Sequence, residues 1–205
     1  MSGQAPLVLA IDTCLDACSV ALARGDALVA ERCEEMQRGQ AERLAPMTRE
    51  LVEHAQLDFS QIDRIAVTTG PGSFTGVRVG LSFARALALA LDKPCLGVTS
   101  LEVLALERGE AGLRAAIIET PGGAYVALYD DGVASIPARA AERADARPLI
   151  EAETKGKPFD LVGPGAAIDV AAFARRAARL DPDRYPPRPA YLRAPHVTPP
   201  AAGAA

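Results

Sequence analysis

The sequence contains no tryptophan, and aromatic residues make up only 4% of its 205 positions. A chain that binds nucleic acid by stacking bases on aromatic platforms is therefore not expected. An excess of positive charge is missing too. The formal net charge is −4, which argues against holding nucleic acid through a basic surface alone. Histidine occurs only at His54 and His196, and Cys14, Cys18, Cys33 and Cys95 have no C-x-x-C spacing. Neither a metal site nor a catalytic thiol is indicated, and small buried thiols are expected. The opening MSGQAP-LVLAID lacks the charged flank and long apolar region of a signal peptide, so a cytoplasmic location is expected. The most apolar helix pattern is interrupted by Arg78 and Arg85, where a membrane span wants an uncharged run of about 20 residues.

What is present supports a folded chain. Hydrophobic residues make up 49%, enough for a substantial core in one large domain or two small lobes. The most informative stretch is 65–91, which reads as strand, glycine-rich loop and long apolar helix. Gly70, Pro71, Gly72 and Gly76 break regular structure, and Ser73 or Thr75 can cap the helix that follows. Such a loop ends in free helix N–H groups and suits an anion. A tight strand-to-helix turn needs the same glycines with nothing bound, so both readings stand. Gly76, Gly80, Ala84 and Ala88 recur every four residues and predict a row of small side chains along one flank, with Leu81 on the apolar remainder. A helix apolar on nearly every side is buried on nearly every side. Either its own chain or a second polypeptide covers it.

In chain order, residues 7–11, 18–23 and 27–32 read as three strands of an antiparallel meander, the latter two joined across Arg24-Gly25-Asp26. Asp12 and Thr13 follow the first strand, where they suit either a cation and phosphate or the N–H groups of a turn. A helix is expected over 40–55, with Leu44, Met47 and Leu51 on a face wider than one-sided packing requires. Pro46 must lie near its first turn or kink it. A connector (58–63), the stretch at 65–91, a strand at 95–98 and a helix to about 108 complete the first block. The second block has strands over 113–119, 125–129, 133–136 and 159–162, an unassigned charged segment at 137–156, and a helix over 168–180. Seven of the 16 prolines fall after Asp181, predicting an extended tail. The expected division is 1–105, 106–188 and a proline-rich tail from 189 onward.

AIDTC at 10–14, CSVAL at 18–22, GPGSFTGVRVGLSFARALALAL at 70–91 and PAYLRAP at 189–195 resemble the bacterial TsaB family, also called YeaZ. The resemblance implies an α/β protein of the actin-like ATPase (ribonuclease H-like) superfold, with two lobes of mixed sheets flanked by helices. It further implies a non-catalytic subunit in making N6-threonylcarbamoyladenosine in tRNA, beside a TsaD-like transferase and a TsaE-like ATPase. Family members pair with TsaD, or with themselves when alone, through two helices that correspond to 40–55 and 76–91. The expected partner surface is therefore Leu44, Met47, Leu51, Gly76, Gly80, Leu81, Ala84 and Ala88. The expected anion or nucleotide set is Asp12, Thr13, Gly72, Ser73, Thr75, Gly76 and Arg78, with ATP or ADP at the partner junction and no cofactor on the chain itself. Contact with tRNA is expected only through the complex. Three departures stand out. Gln40 and Leu44 occupy the place of a His-x-x-x-His metal pair, Glu119-Thr120-Pro121 replaces an Asp-Ala-Arg-like turn, and His196 stands where the tail usually turns acidic. The competing readings are an actin-like-fold kinase built on Asp12, Thr13 and the 70–76 loop, and a glycoprotease-type metallopeptidase.

Overall fold

The computed structural model describes residues 4–192. Two mixed sheets, each flanked by helices, form an α/β fold as expected. Strands β1 (Leu7–Asp12), β2 (Ala17–Arg24) and β3 (Ala27–Glu35) make the antiparallel meander. Strands β4 (Arg64–Thr68) and β5 (Cys95–Val98) add in parallel, giving the order β3-β2-β1-β4-β5. Both faces of the inner strands are covered, so β1 is apolar throughout before Asp12 and is buried at every position.

Helices α1 (Gln40–His54) and α2 (Phe74–Leu91) lie on one face of this sheet. Their inward residues Leu44, Met47, Leu51, Val77, Leu81 and Ala84 close a core with Leu9, Ile11, Val20 and Ile65. Pro46 sits at the seventh position of α1 and is only partly buried. Helix α2 starts two residues earlier than its pattern predicts, because Ser73 caps it by accepting from Gly76 N at 3.2 Å. By length and composition α2 alone, among the described residues, could cross a membrane. It is packed instead on β4, β5 and β1.

Helix α3 (Ser100–Leu106) leads into the second sheet, made of β6 (Leu113–Thr120), β7 (Gly123–Asp130), β8 (Val133–Ala141) and β9 (Asp160–Val162) in the order β8-β7-β6-β9. Strand β8 runs five residues beyond its expected end. Pro137 does not break it because β8 is an edge strand, where a missing N–H can face outward. Helix α4 (Ala146–Thr154) covers one face of this sheet, and α5 (Val170–Ala177) is shorter at both ends than expected.

The two sheets share a core, and this the residue order does not reveal. Helix α5 falls in the second block of the sequence yet packs on β1, β2 and β3. Phe173 and Ala174 join Val8, Ala21, Leu101, Ile118 and Tyr129 in one buried cluster. Arg64 fastens the end of α5 by donating to the carbonyls of Ala177, Ala178 and Leu180 at 2.9–3.3 Å. The segment after α5 then returns across the first sheet. Gly97 N donates to Tyr185 O at 2.9 Å and Ala190 N to Thr69 O at 2.9 Å. Tyr185 Oη donates to Glu102, which also takes Arg176 at 2.9 Å. The tail is thus docked as far as Leu192, and the expectations for Pro195 and His196 lie outside the described residues.

Candidate functional site

The turn after β1 is laid directly onto the start of α2, and Gly72 and Gly76 of the 70–76 loop serve that contact. A Cβ on Gly76 would strike the Thr13 carbonyl oxygen, and one on Gly72 the Cys14 carbonyl oxygen. Gly80 is needed for the same reason, since a Cβ there would crowd the Thr13 hydroxyl. Ser73 N donates to Cys14 O at 2.6 Å, and the buried Thr13 hydroxyl donates to Gly76 O at 2.7 Å. The bare-turn reading of these glycines therefore accounts for them.

The seven residues expected to form an anion site do not converge. Asp12, Gly72 and Ser73 border a cleft of about 560 Å³ between the two sheets. Thr13 and Gly76 are interior. Thr75 and Arg78 lie on the exposed side of α2, with the Arg78 guanidinium 3.8 Å above the Phe74 ring and its Nε 3.4 Å from Tyr191 Oη. Asp12 is 1% exposed, and its Oδ1 accepts from Thr68 Oγ1 at 2.5 Å and Cys14 N at 3.1 Å. Burial pushes its carboxyl above the ordinary range, and those two hydrogen bonds oppose the rise. Burial, and then the Asp12 charge, raise the Cys14 thiol to about 12; burial raises Cys18 and Cys95 each to about 11. None of these is a poised nucleophile. Not all the thiols are buried, however: Cys33 is exposed on β3 and accepts from Ser19 Oγ at 3.2 Å.

The eight residues expected to face a partner require a correction. Leu44, Met47, Leu51, Gly76, Gly80, Leu81, Ala84 and Ala88 are all buried within the chain, none of the six with a side chain more than 5% exposed. They pack on their own sheet, and the row of small residues admits the β1 turn and β4 rather than a second helix. What lies open is the opposite flank of α2: Phe74, Arg78, Ser82, Arg85, Ala86, Leu89 and Ala90 are exposed, with Phe83 and Leu87 half-buried. Phe74 is 53% exposed and Leu89 85%. Helix α1 offers no comparable face, since Ala41, Glu42, Ala45, Arg49 and Glu53 point outward. Tyr191, 53% exposed, adds a ring 5.8 Å from Phe74. Neither this pairing nor the cleft residues Asp16, Cys33 and Glu35 could be found by helical periodicity, because they come from separate elements. Among the described residues, no three His, Cys, Asp or Glu side chains gather as a metal site would require.

Comparison with known proteins gives these features a context. Residues 33–128 match the family of TsaD, tRNA N6-adenosine threonylcarbamoyltransferase. The chain is 37% identical over 126 residues to the tRNA threonylcarbamoyladenosine biosynthesis protein TsaB of Escherichia coli, covering 60% of this chain and 54% of that protein. It thus spans about half the length of that relative. An uncharacterized protein of Mycobacterium bovis, Mb3455c, is 32% identical over 180 residues, covering 85% of this chain and 76% of its own length. The solved structure of YeaZ from Pseudomonas aeruginosa superimposes with a TM-score of 0.68 at 27% identity, covering 91% of this chain and all of that one. The chain is thus similar to the TsaB (YeaZ) proteins, in sequence over 60% of its length and in fold over 91% of it.

Proposed function

We propose that this chain is a non-catalytic subunit in the formation of N6-threonylcarbamoyladenosine in tRNA, and that the open flank of α2 docks a TsaD-type protein. The observation that carries the reading is where the open face lies. Helix α2 is the longest helix among the described residues, its outer side is uncovered, and it falls within the 33–128 stretch that matches the TsaD family. A TsaD-type protein brings a helix pair of the same pattern, so like faces meet about a pseudo-twofold axis, and a second copy of this chain substitutes when that partner is absent. Covering Leu89 alone contributes about 2 kcal/mol.

The non-catalytic assignment draws on the same geometry. Asp12 and Thr13, on which a phosphotransferase reading rests, are tied to Thr68, Cys14 and Gly76. A phosphoryl-transfer site needs positioned cations for the phosphates, and no described Lys, Arg or His lines the cleft. ATP or ADP therefore acts at the junction with the partner and a TsaE-type ATPase. The chain's net charge of −4 leaves most tRNA phosphates to the partner. Co-purification with the cognate TsaD-type protein, followed by size-exclusion chromatography, tests the reading. One joint peak, with threonylcarbamoyl transfer to tRNA exceeding that of the partner alone, is expected; two separate peaks with unchanged transfer would overturn it.

A further inference from the structure

The segment after α5, residues 181–192, returns across the first sheet as a strap and ends beside the open flank of α2. Of the five Phe and four Tyr in the sequence, only Phe74 and Tyr191 are exposed among the described residues, each at 53%. They stand side by side with ring centroids 5.8 Å apart, one in the first turn of α2 and the other on the strap. The strap is fastened before it reaches them. Gly97 N donates to Tyr185 O and Ala190 N to Thr69 O, each at 2.9 Å, and Tyr185 Oη donates to Glu102 at 3.0 Å. Tyr191 therefore follows directly on a fastened residue, and a partner that covers it has little chain left to order.

Arg78 completes the group. Its guanidinium lies 3.8 Å above the Phe74 ring, and its Nε is 3.4 Å from Tyr191 Oη. Both of its Nη groups are without an acceptor among the described residues. Helix α2 contains no carboxylate, and neither Arg78 nor Arg85 has an ion pair among the described residues. A guanidinium whose plane is set by an aromatic ring presents its free N–H edge in a fixed direction, which suits a carboxylate taken through both oxygens. Tyr and Arg are also residue types in which the binding energy of interfaces concentrates. We propose that Phe74, Arg78 and Tyr191 form one end of the docking face, with the strap contributing to it directly and Arg78 taking a carboxylate from the TsaD-type partner. A second copy has no carboxylate on its own α2 to offer in return. The inference rests on the partner reading of α2.

Titration calorimetry of the full chain with the cognate TsaD-type protein, at low and at high salt, tests it. Tyr191→Ala should weaken association about tenfold or more, while Tyr191→Phe, which keeps the ring, should leave it within about threefold. Arg78→Gln should weaken association about tenfold at low salt and flatten its salt dependence. Arg78→Lys keeps the charge without the planar fork, so it should restore the salt dependence and only part of the affinity. Each of these side chains is exposed, and the variants should melt as the native chain does. Native-strength association of either Tyr191→Ala or Arg78→Gln would overturn the inference, as would an unchanged salt dependence in Arg78→Gln. Leu89→Lys, near the other end of α2, separates this outcome from failure of the partner reading. If only the inference fails, the native chain still binds and Leu89→Lys still weakens it; if the native chain does not bind at all, both are overturned.

Discussion

The two flanks of α2 differ in side-chain size and polarity and have opposite fates. One carries Gly76, Gly80, Ala84 and Ala88 and is sealed against the first sheet and the turn that follows β1. The other carries Phe74, Phe83, Leu87 and Leu89 and is left wholly or partly open. Small side chains permit close approach, and here the approaching group is the chain's own backbone. The large exposed side chains Phe74 and Leu89 lie where the proposed partner would sit. Arg78, Ser82 and Arg85 also fall on the open flank, and the sheet lies against the other.

The comparison can be broken most severely on the sealed flank. Ala84→Arg buries a charge with no partner and should unfold the chain, a loss of about 4 kcal/mol or more. Gly76→Val should cost about 3 kcal/mol, since its side chain meets the Thr13 carbonyl and the backbone cannot yield. Denaturant melts measure both, and a native-like melt in either variant would show the packing assigned to that flank to be wrong. A smaller loss, about 2 kcal/mol, is expected for Glu102→Gln. That change removes the carboxylate that Arg176 and Tyr185 share and loosens the tail from α3.

Asp12 gives a pH signature. Its carboxyl is raised in the fold by burial, so the folded chain binds the proton more tightly than the unfolded one. Its contribution to stability is full below the ordinary carboxylate range and is lost as pH rises through the raised value. Asp12→Asn should therefore raise the melting temperature at pH 7 and change it little at pH 3.5. An equal shift at both values would contradict the assignment. On the open flank the effect on folding should be smallest of all. Leu89→Lys should leave the melt within about 0.5 kcal/mol.

Much of this was legible in the residues. The meander of β1 to β3, the strand–loop–helix at 65–91 and the order of the remaining strands follow from runs of apolar residues and turn signals. Periodicity also identified the faces of α1 and α2 correctly as apolar. Periodicity cannot say whether an apolar face meets its own sheet or a partner, and Leu44, Leu81 and Ala84, expected on the partner surface, lie inside. Strand β8 is expected to end at 136, where the charged segment begins, and continues to Ala141 because Pro137 is tolerated on an edge strand. The return of α5 onto β1–β3 and the docking of Tyr185 and Tyr191 are long-range contacts, with no local pattern to announce them. The cleft is hidden for the same reason. Asp12, Asp16, Glu35 and Glu119 reach it from separate strands and turns, and only Asp12 stands beside a recognisable motif.

The central claim is that the outer flank of α2 exists to be covered by another polypeptide. Sedimentation equilibrium of the chain with its TsaD-type partner, for the native sequence and for Leu89→Lys, tests this most directly. The account predicts a one-to-one complex for the native chain and two free species for the variant, with identical melting curves for the two chains. Assembly that persists undiminished in Leu89→Lys and in a second open-flank variant, Phe83→Glu, would contradict it.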